Sequence, residues 1–232
     1  LIKAICTDIY INPHSKATAD QYRMLAVGAM CSEQNAAYVN SIETGLSKER
    51  VDEILENWWD VRNKEEAIIK LHYLRDKGDN FYAEALNKCI DCEDETVIHE
   101  MLQATFSTAE DLATAINIIT VFRKIYPQLI EKGIIKNLPE VKQLGFSAWD
   151  SCRLVFAARL CYEKEYITEH EAWEYINAAY KTSKENYNSW EEYANSYQIG
   201  RAIWLGEFDK KMNVLVGYLF ENPKSPWVQL SW

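Results

Sequence analysis

Glycine and proline are scarce in this sequence, with 8 Gly and 5 Pro in 232 residues. Too few turn-formers remain for the many tight turns of a β-sandwich or barrel. Long apolar runs are also missing: the longest near the C-terminus is residues 214–220, far short of the ~20 needed to cross a bilayer. No charged-then-apolar signal segment opens the chain. Basic runs are absent, since the only adjacent basic residues are Arg123-Lys124 and Lys210-Lys211. Against 35 acidic residues there are 25 basic ones, a net charge of −10 that repels nucleic-acid backbones and anionic lipid. The expectation is a cytoplasmic protein that binds neither nucleic acid nor membrane. A basic protein is the partner this charge suits.

Six cysteines stand at 6, 31, 89, 92, 152 and 161. Cys152 and Cys161 fall inside a helical pattern and Cys31 follows the apolar stretch 25–30, so these three read as small buried hydrophobes of a reducing compartment. Cys89 and Cys92 form the single C-x-x-C, but a structural zinc site asks for four ligands and none completes this one. No metal and no cofactor is expected.

What is present in abundance is helical periodicity and large rings: 8 Trp, 14 Tyr and 7 Phe. Capping-box patterns occur at Thr18…Gln21, Ser107…Glu110, Thr168…Glu171 and Ser189…Glu192, with Asn63…Glu66 a close relative. Thr182…Glu185 matches too, but inside a helical pattern. Gly45, Gly78, Gly133, Gly145 and Asn222-Pro223 read as stops. The pattern predicts helices over about 18–44, 48–59, 64–77, 80–90, 94–104, 108–131, 139–144, 147–164, 168–186, 190–207 and 209–220. Pro127 is expected to kink or end the sixth. No Gly/Ser/Pro-rich linker and no repeat divides the chain, so the fold class is all-α: one domain over 1–232 of about ten irregularly packed helices. Trp227 and Trp232 are too apolar to leave in water, which predicts that the tail, 221–232, docks on the helices.

The chemistry-bearing residues concentrate in 144–207. Trp149, Cys152, Phe156 and Leu160 share one helix face, with Arg153 about 40° from Trp149 and Asp150 three residues before Arg153. In a later helix Trp190, Tyr193, Ala194, Tyr197 and Trp204 make a second aromatic face. Arg201 lies about 20° from Trp190 in its middle, beside Gly200, whose missing side chain admits another backbone. A guanidinium inside an aromatic stripe needs a carboxylate, carbonyls or a ring face. Asp150 is the expected partner and Glu169 the second. Asp150, Arg153, Glu169 and Arg201 thus form a polar cluster, supported by Trp149, Trp190, Tyr197, Gly200, Trp204 and Trp227. It serves either as an anion-binding pocket floor or, on the plainer and more common reading, as a tie between helices.

Gly145-Phe-Ser-Ala-Trp149-Asp150-Ser-Cys-Arg153, Tyr187-Asn-Ser189-Trp190-Glu191-Glu192-Tyr193 and Ser196-Tyr197-Gln-Ile-Gly200-Arg201-Ala-Ile-Trp204 resemble the signature of a bacterial family known only as domain of unknown function 1266. The ending Ser225-Pro226-Trp227-Val-Gln-Leu-Ser-Trp232 and the segment from Trp58 to Phe81, with Leu74-Arg-Asp-Lys-Gly78, are similar to parts of it as well. The resemblance covers about 50–232. It departs from the family pattern where Asp79 and Asn80 follow Gly78, a place where a His is expected in relatives. The resemblance implies an all-helical domain and no activity.

No G-x-S-x-G, H-E-x-x-H or G-x-x-x-x-G-K occurs, and His14, His72, His99 and His170 are isolated. The pattern predicts no catalytic residue and favours a non-enzymatic protein-binding module, in its concrete form an acidic immunity protein that masks a basic toxin. The alternatives are a metal-independent hydrolase or lyase, with Asp150 as base and Arg153 or Arg201 as anion clamp, and a small-ligand sensor with an aromatic pocket.

Overall fold

The computed structural model describes residues 8–232; Cys6 lies outside them. Every regular element among these residues is helical, so the all-α expectation holds. In chain order they are α1 (Ala19–Ala26), α2 (Ala29–Gln34), α3 (Lys48–Glu53), α4 (Lys64–His72), α5 (Ala83–Cys89), α6 (Glu95–Thr105), α7 (Ala109–Glu131), α8 (Leu138–Leu144), α9 (Ser147–Glu163), α10 (Glu169–Asn186), α11 (Trp190–Leu205), α12 (Lys210–Glu221) and α13 (Pro226–Gln229). π-helical turns prolong α3 and α4, over Ile54–Trp58 and Tyr73–Lys77, and a 3-10 turn, Asp79–Tyr82, leads into α5. The chain forms two compact units. Of the described residues, the first holds 8–78, 150–190 and 210–232, and the second 79–149 and 191–209.

Local chemistry explains the helix starts. Thr18 and Thr168 make full capping boxes with Gln21 and Glu171. Asn63 accepts from Glu66 N, while the Glu66 carboxylate reaches one residue further back, to Arg62 N. The cap foreseen at Ser107 belongs instead to Thr108, whose hydroxyl accepts from Asp111 N. α7 also runs through Pro127 to Glu131. Pro127 removes one backbone hydrogen bond near the helix end, and the buried Ile125 and Leu129 on either side hold the last turn in place.

In the first unit the core is built around α9. From Leu154 to Cys161 every residue is at most 2% exposed, so the helix is covered on all sides. The single helix expected over 18–44 is not formed. α1 and α2 are separated at Val27–Gly28, and a Cβ on Gly28 would lie 2.6 Å from Val155 Cγ1, so the backbone passes against α9. α2 ends at Gln34, and the segment after it leaves helical geometry and turns the carbonyls of Tyr38, Ile42 and Glu43 inward. The tail docks as expected and contains a helical turn, α13, capped by Ser225. Trp227 is 5% exposed, stacks on Trp190 at 5.4 Å and donates its indole N–H to Ala26 O at 3.0 Å. Trp232 meets Trp190 edge-on at 4.6 Å and donates to Tyr187 O.

In the second unit α5, α6 and α7 pack on one another, and α8 packs on α5. Ile118, Phe122, Ile125 and Leu129 give α7 its buried stripe.

Candidate functional site

Of the polar residues expected to act together, Asp150, Arg153 and Glu169 belong to the first unit and Arg201 to the second. In the first, Asp150 and Arg153 pair across one turn of α9, with side chains 6% and 15% exposed. The turn that ends the π-helix at Lys77 lies against this carboxylate. Gly78 has φ +58°, and a Cβ there would stand 2.3 Å from Asp150 Oδ2. No other residue fits, for conformational and steric reasons alike. Glu169, the second candidate partner for Arg201, is exposed in the first turn of α10 and accepts from Trp173 Nε1 at 3.2 Å.

In the second unit the centre is Trp149. Its indole N–H donates to Asp79 Oδ2 at 2.8 Å. Its ring meets Tyr197 edge-on at 5.2 Å and Trp204 at 5.9 Å. Gly200 allows this packing, since a Cβ would fall 2.5 Å from Trp149 Cβ, the close approach that the glycine predicts. Arg201 holds its guanidinium 5.8 Å from the Trp149 ring centre and donates Nε to Asp209 Oδ2 at 2.7 Å. The arginine therefore has both the ring face and the carboxylate that its burial requires, and that carboxylate lies just beyond its own helix. Asn80 accepts from Phe146 N, so the two residues that replace the expected His each tie the 79–82 turn to the start of α9. Trp204 departs from the expected buried stripe: it is 63% exposed. It lies in the last turn of α11, where its ring covers Trp149 on one side and meets solvent on the other.

Among the described residues the most deeply buried charge is one that the sequence pattern does not single out. Arg159 is wholly enclosed, and its guanidinium donates to Ser32 Oγ at 2.7 Å, Tyr38 O at 2.6 Å, Glu43 O at 3.0 Å and Ile42 O at 3.2 Å. Within the non-helical segment 37–44, these three carbonyls serve the arginine instead of a helix ladder. Burial lowers the Arg159 pKa to about 10, with Glu163 and Glu43 opposing, so the group stays charged at neutral pH. Glu163 secures the same segment by accepting from Thr44 Oγ1 at 2.7 Å.

Burial disfavours the thiolate form at Cys89, Cys152 and Cys161. Cys31, Cys89, Cys152 and Cys161 are buried. Burial pushes Cys161 up to about 12 and raises Cys152, which also lies against Cys31. Cys89 is raised by burial and by Cys92. All four His are exposed; His99 bonds Gln103 and His170 faces Glu174. Among the described residues no group of three or more His, Cys, Asp or Glu is arranged to hold a metal, and no helix is long and apolar enough to cross a membrane.

Glu33 on α2 is 4% exposed, and its Oε2 has no hydrogen-bond partner among the described residues. Burial, helped by Asp8, raises its pKa from 4.5 to about 7. The folded chain therefore keeps this proton where the unfolded chain loses it. Its contribution to stability falls as pH rises from 4.5 and levels off above 7, by roughly 3 kcal/mol in all. Glu33→Gln is expected to melt with the wild type near pH 4 and several degrees above it at pH 8. Equal melting of the two proteins at both pH values would contradict the assignment.

Among protein families, the model described as "Protein of unknown function (DUF1266)" matches residues 54–232. No curated protein and no solved structure matches the chain.

Proposed function

We propose that the chain, which belongs to the DUF1266 family, is a non-enzymatic protein-binding module whose partner is a basic protein. The observation that carries this reading is where the charge sits. Residues 79–149 and 191–209, the second unit, hold 15 acidic against 7 basic residues, a net −8 out of the chain's −10. A field of one sign concentrated on part of a molecule steers an oppositely charged partner and discourages others. The interior supports the same reading. Asp150, the one carboxylate expected as a base, is 4% exposed and engaged with Arg153 and the Gly78 turn. The arginine expected as an anion clamp, Arg201, is engaged with Asp209 and the Trp149 ring. These groups brace helices. In its concrete form the chain is a bacterial, cytoplasmic immunity protein, and the basic partner is the toxin it masks.

The test is capture from a native lysate of the source cells on the immobilised chain, with elution by rising salt and identification by mass spectrometry. A basic protein is expected to be retained in near-stoichiometric amount and released as salt rises. Retention of acidic and basic proteins alike, or of none, would contradict the reading.

A further inference from the structure

From the hairpin of α6 and α7 we infer a docking groove for a cationic amphipathic helix. The inference rests on the binding-module reading and gives it a place and a partner chemistry. Between Lys88 and Arg123 the sequence has no Lys or Arg and seven Asp or Glu. Glu93, Glu95, Glu100 and Glu110 are exposed and meet no cationic side chain among the described residues. The same stretch carries apolar side chains that a helix facing water does not need. Val97 and Met101 on α6 are 36% and 40% exposed, and Ile116 on α7 is 36% exposed.

These positions form a stripe. On α6, Val97, Met101 and Ala104 are spaced four and three residues apart, on the side turned away from the buried Ile98 and Leu102. Three residues, 106–108, join α6 to α7, and the two helices pack together, so they run antiparallel. At about 1.5 Å per residue, Met101 stands about level with the exposed Ala113, and Val97 about level with Ile116. Phe81, also exposed, packs edge-on against Phe106 at the hairpin turn and extends the apolar surface there. An exposed apolar stripe with a flexible Met in it, in a stretch whose exposed glutamates meet no cationic side chain among the described residues, matches one kind of ligand. That ligand is a helix with aliphatic residues along one face and Lys or Arg beside them. A uniformly polar basic segment would leave the apolar track uncovered. An anionic membrane would be repelled by the exposed glutamates of this stretch.

The experiment uses the whole chain and a fluorescent synthetic helix of about 14 residues, composed of Leu and Lys in amphipathic order. A scrambled peptide of the same composition is the control. The amphipathic peptide is expected to bind saturably at one per chain, and the scrambled one at least tenfold more weakly. Met101→Asp removes apolar contact yet adds attraction for a cation, so a tenfold weakening by this variant isolates the apolar track. Glu93→Gln, Glu95→Gln and Glu100→Gln together are expected to weaken binding several-fold and to reduce its salt dependence. These positions are exposed, and unchanged melting curves verify that the variants fold. Equal binding of the two peptides, or unchanged binding to Met101→Asp, overturns the groove. If the unaltered chain retains a basic lysate protein but binds the two peptides equally, the groove falls and the binding-module reading stands. If the groove binds its peptide but the lysate yields no basic partner, the reverse holds.

Discussion

Replacing Arg159 with methionine is expected to lower the melting temperature by roughly 10 °C or more, the equivalent of about 4 kcal/mol in a chain of this size. Methionine keeps much of the volume and removes the buried charge, yet it leaves the carbonyls of Tyr38, Ile42 and Glu43 and the Ser32 hydroxyl without their donor. Unmade bonds inside the protein cost more than the desolvation that methionine saves. The 37–44 segment should loosen first, seen as faster amide exchange there than in α9. Arg159→Lys should recover less than half of the loss, because an ammonium cannot span four acceptors spread over a planar fork. A methionine variant as stable as the wild type would show that the arginine is incidental to the segment.

Trp227→Ala is the second large loss, about 3–5 kcal/mol. The indole fills the space between Trp190 and Phe220, and its N–H satisfies Ala26 O at the end of α1. Deleting residues 223–232 should cost at least as much, since Trp232 leaves with it and exposes Trp190. Tryptophan emission should shift to longer wavelength as Trp190 meets water. An unchanged melt with unchanged emission would mean that the tail contributes nothing to the fold.

Much of this architecture is readable from the residues, and the failures have physical causes. Helix starts at Thr18, Asn63 and Thr168 are written in side chains that bond their own backbone within four residues. The close approach at Gly200 is likewise a local fact. Residues 35–44 misled because they contain no glycine or proline and carry apolar residues at helical spacing. Their conformation is decided by a guanidinium more than a hundred residues away, which no local pattern encodes. A usable sign was present all the same: Arg159 is the one charged residue in the otherwise apolar run 154–161. The pairing of Arg201 with Asp209 is not legible from helix faces, because the chain turns at Gly206 and returns the carboxylate just past the arginine's own helix. Trp204 sits at the correct angle for the aromatic stripe but too near the helix end to be covered. The charge segregation between Lys88 and Arg123 stands in the sequence too. The exposure of Val97, Met101 and Ile116 does not, because an amphipathic helix alone does not reveal which of its apolar residues lack a neighbour.

The most direct measurement of the central claim is the association rate between the whole chain and the basic protein it retains, followed by stopped-flow mixing over a range of ionic strength. An acidic binding module steers its partner, so the association rate should fall at least tenfold between low salt and about 0.5 M, with the dissociation rate little changed. An association rate that ignores salt would mean that the charge concentrated in residues 79–149 and 191–209 has no part in recognition.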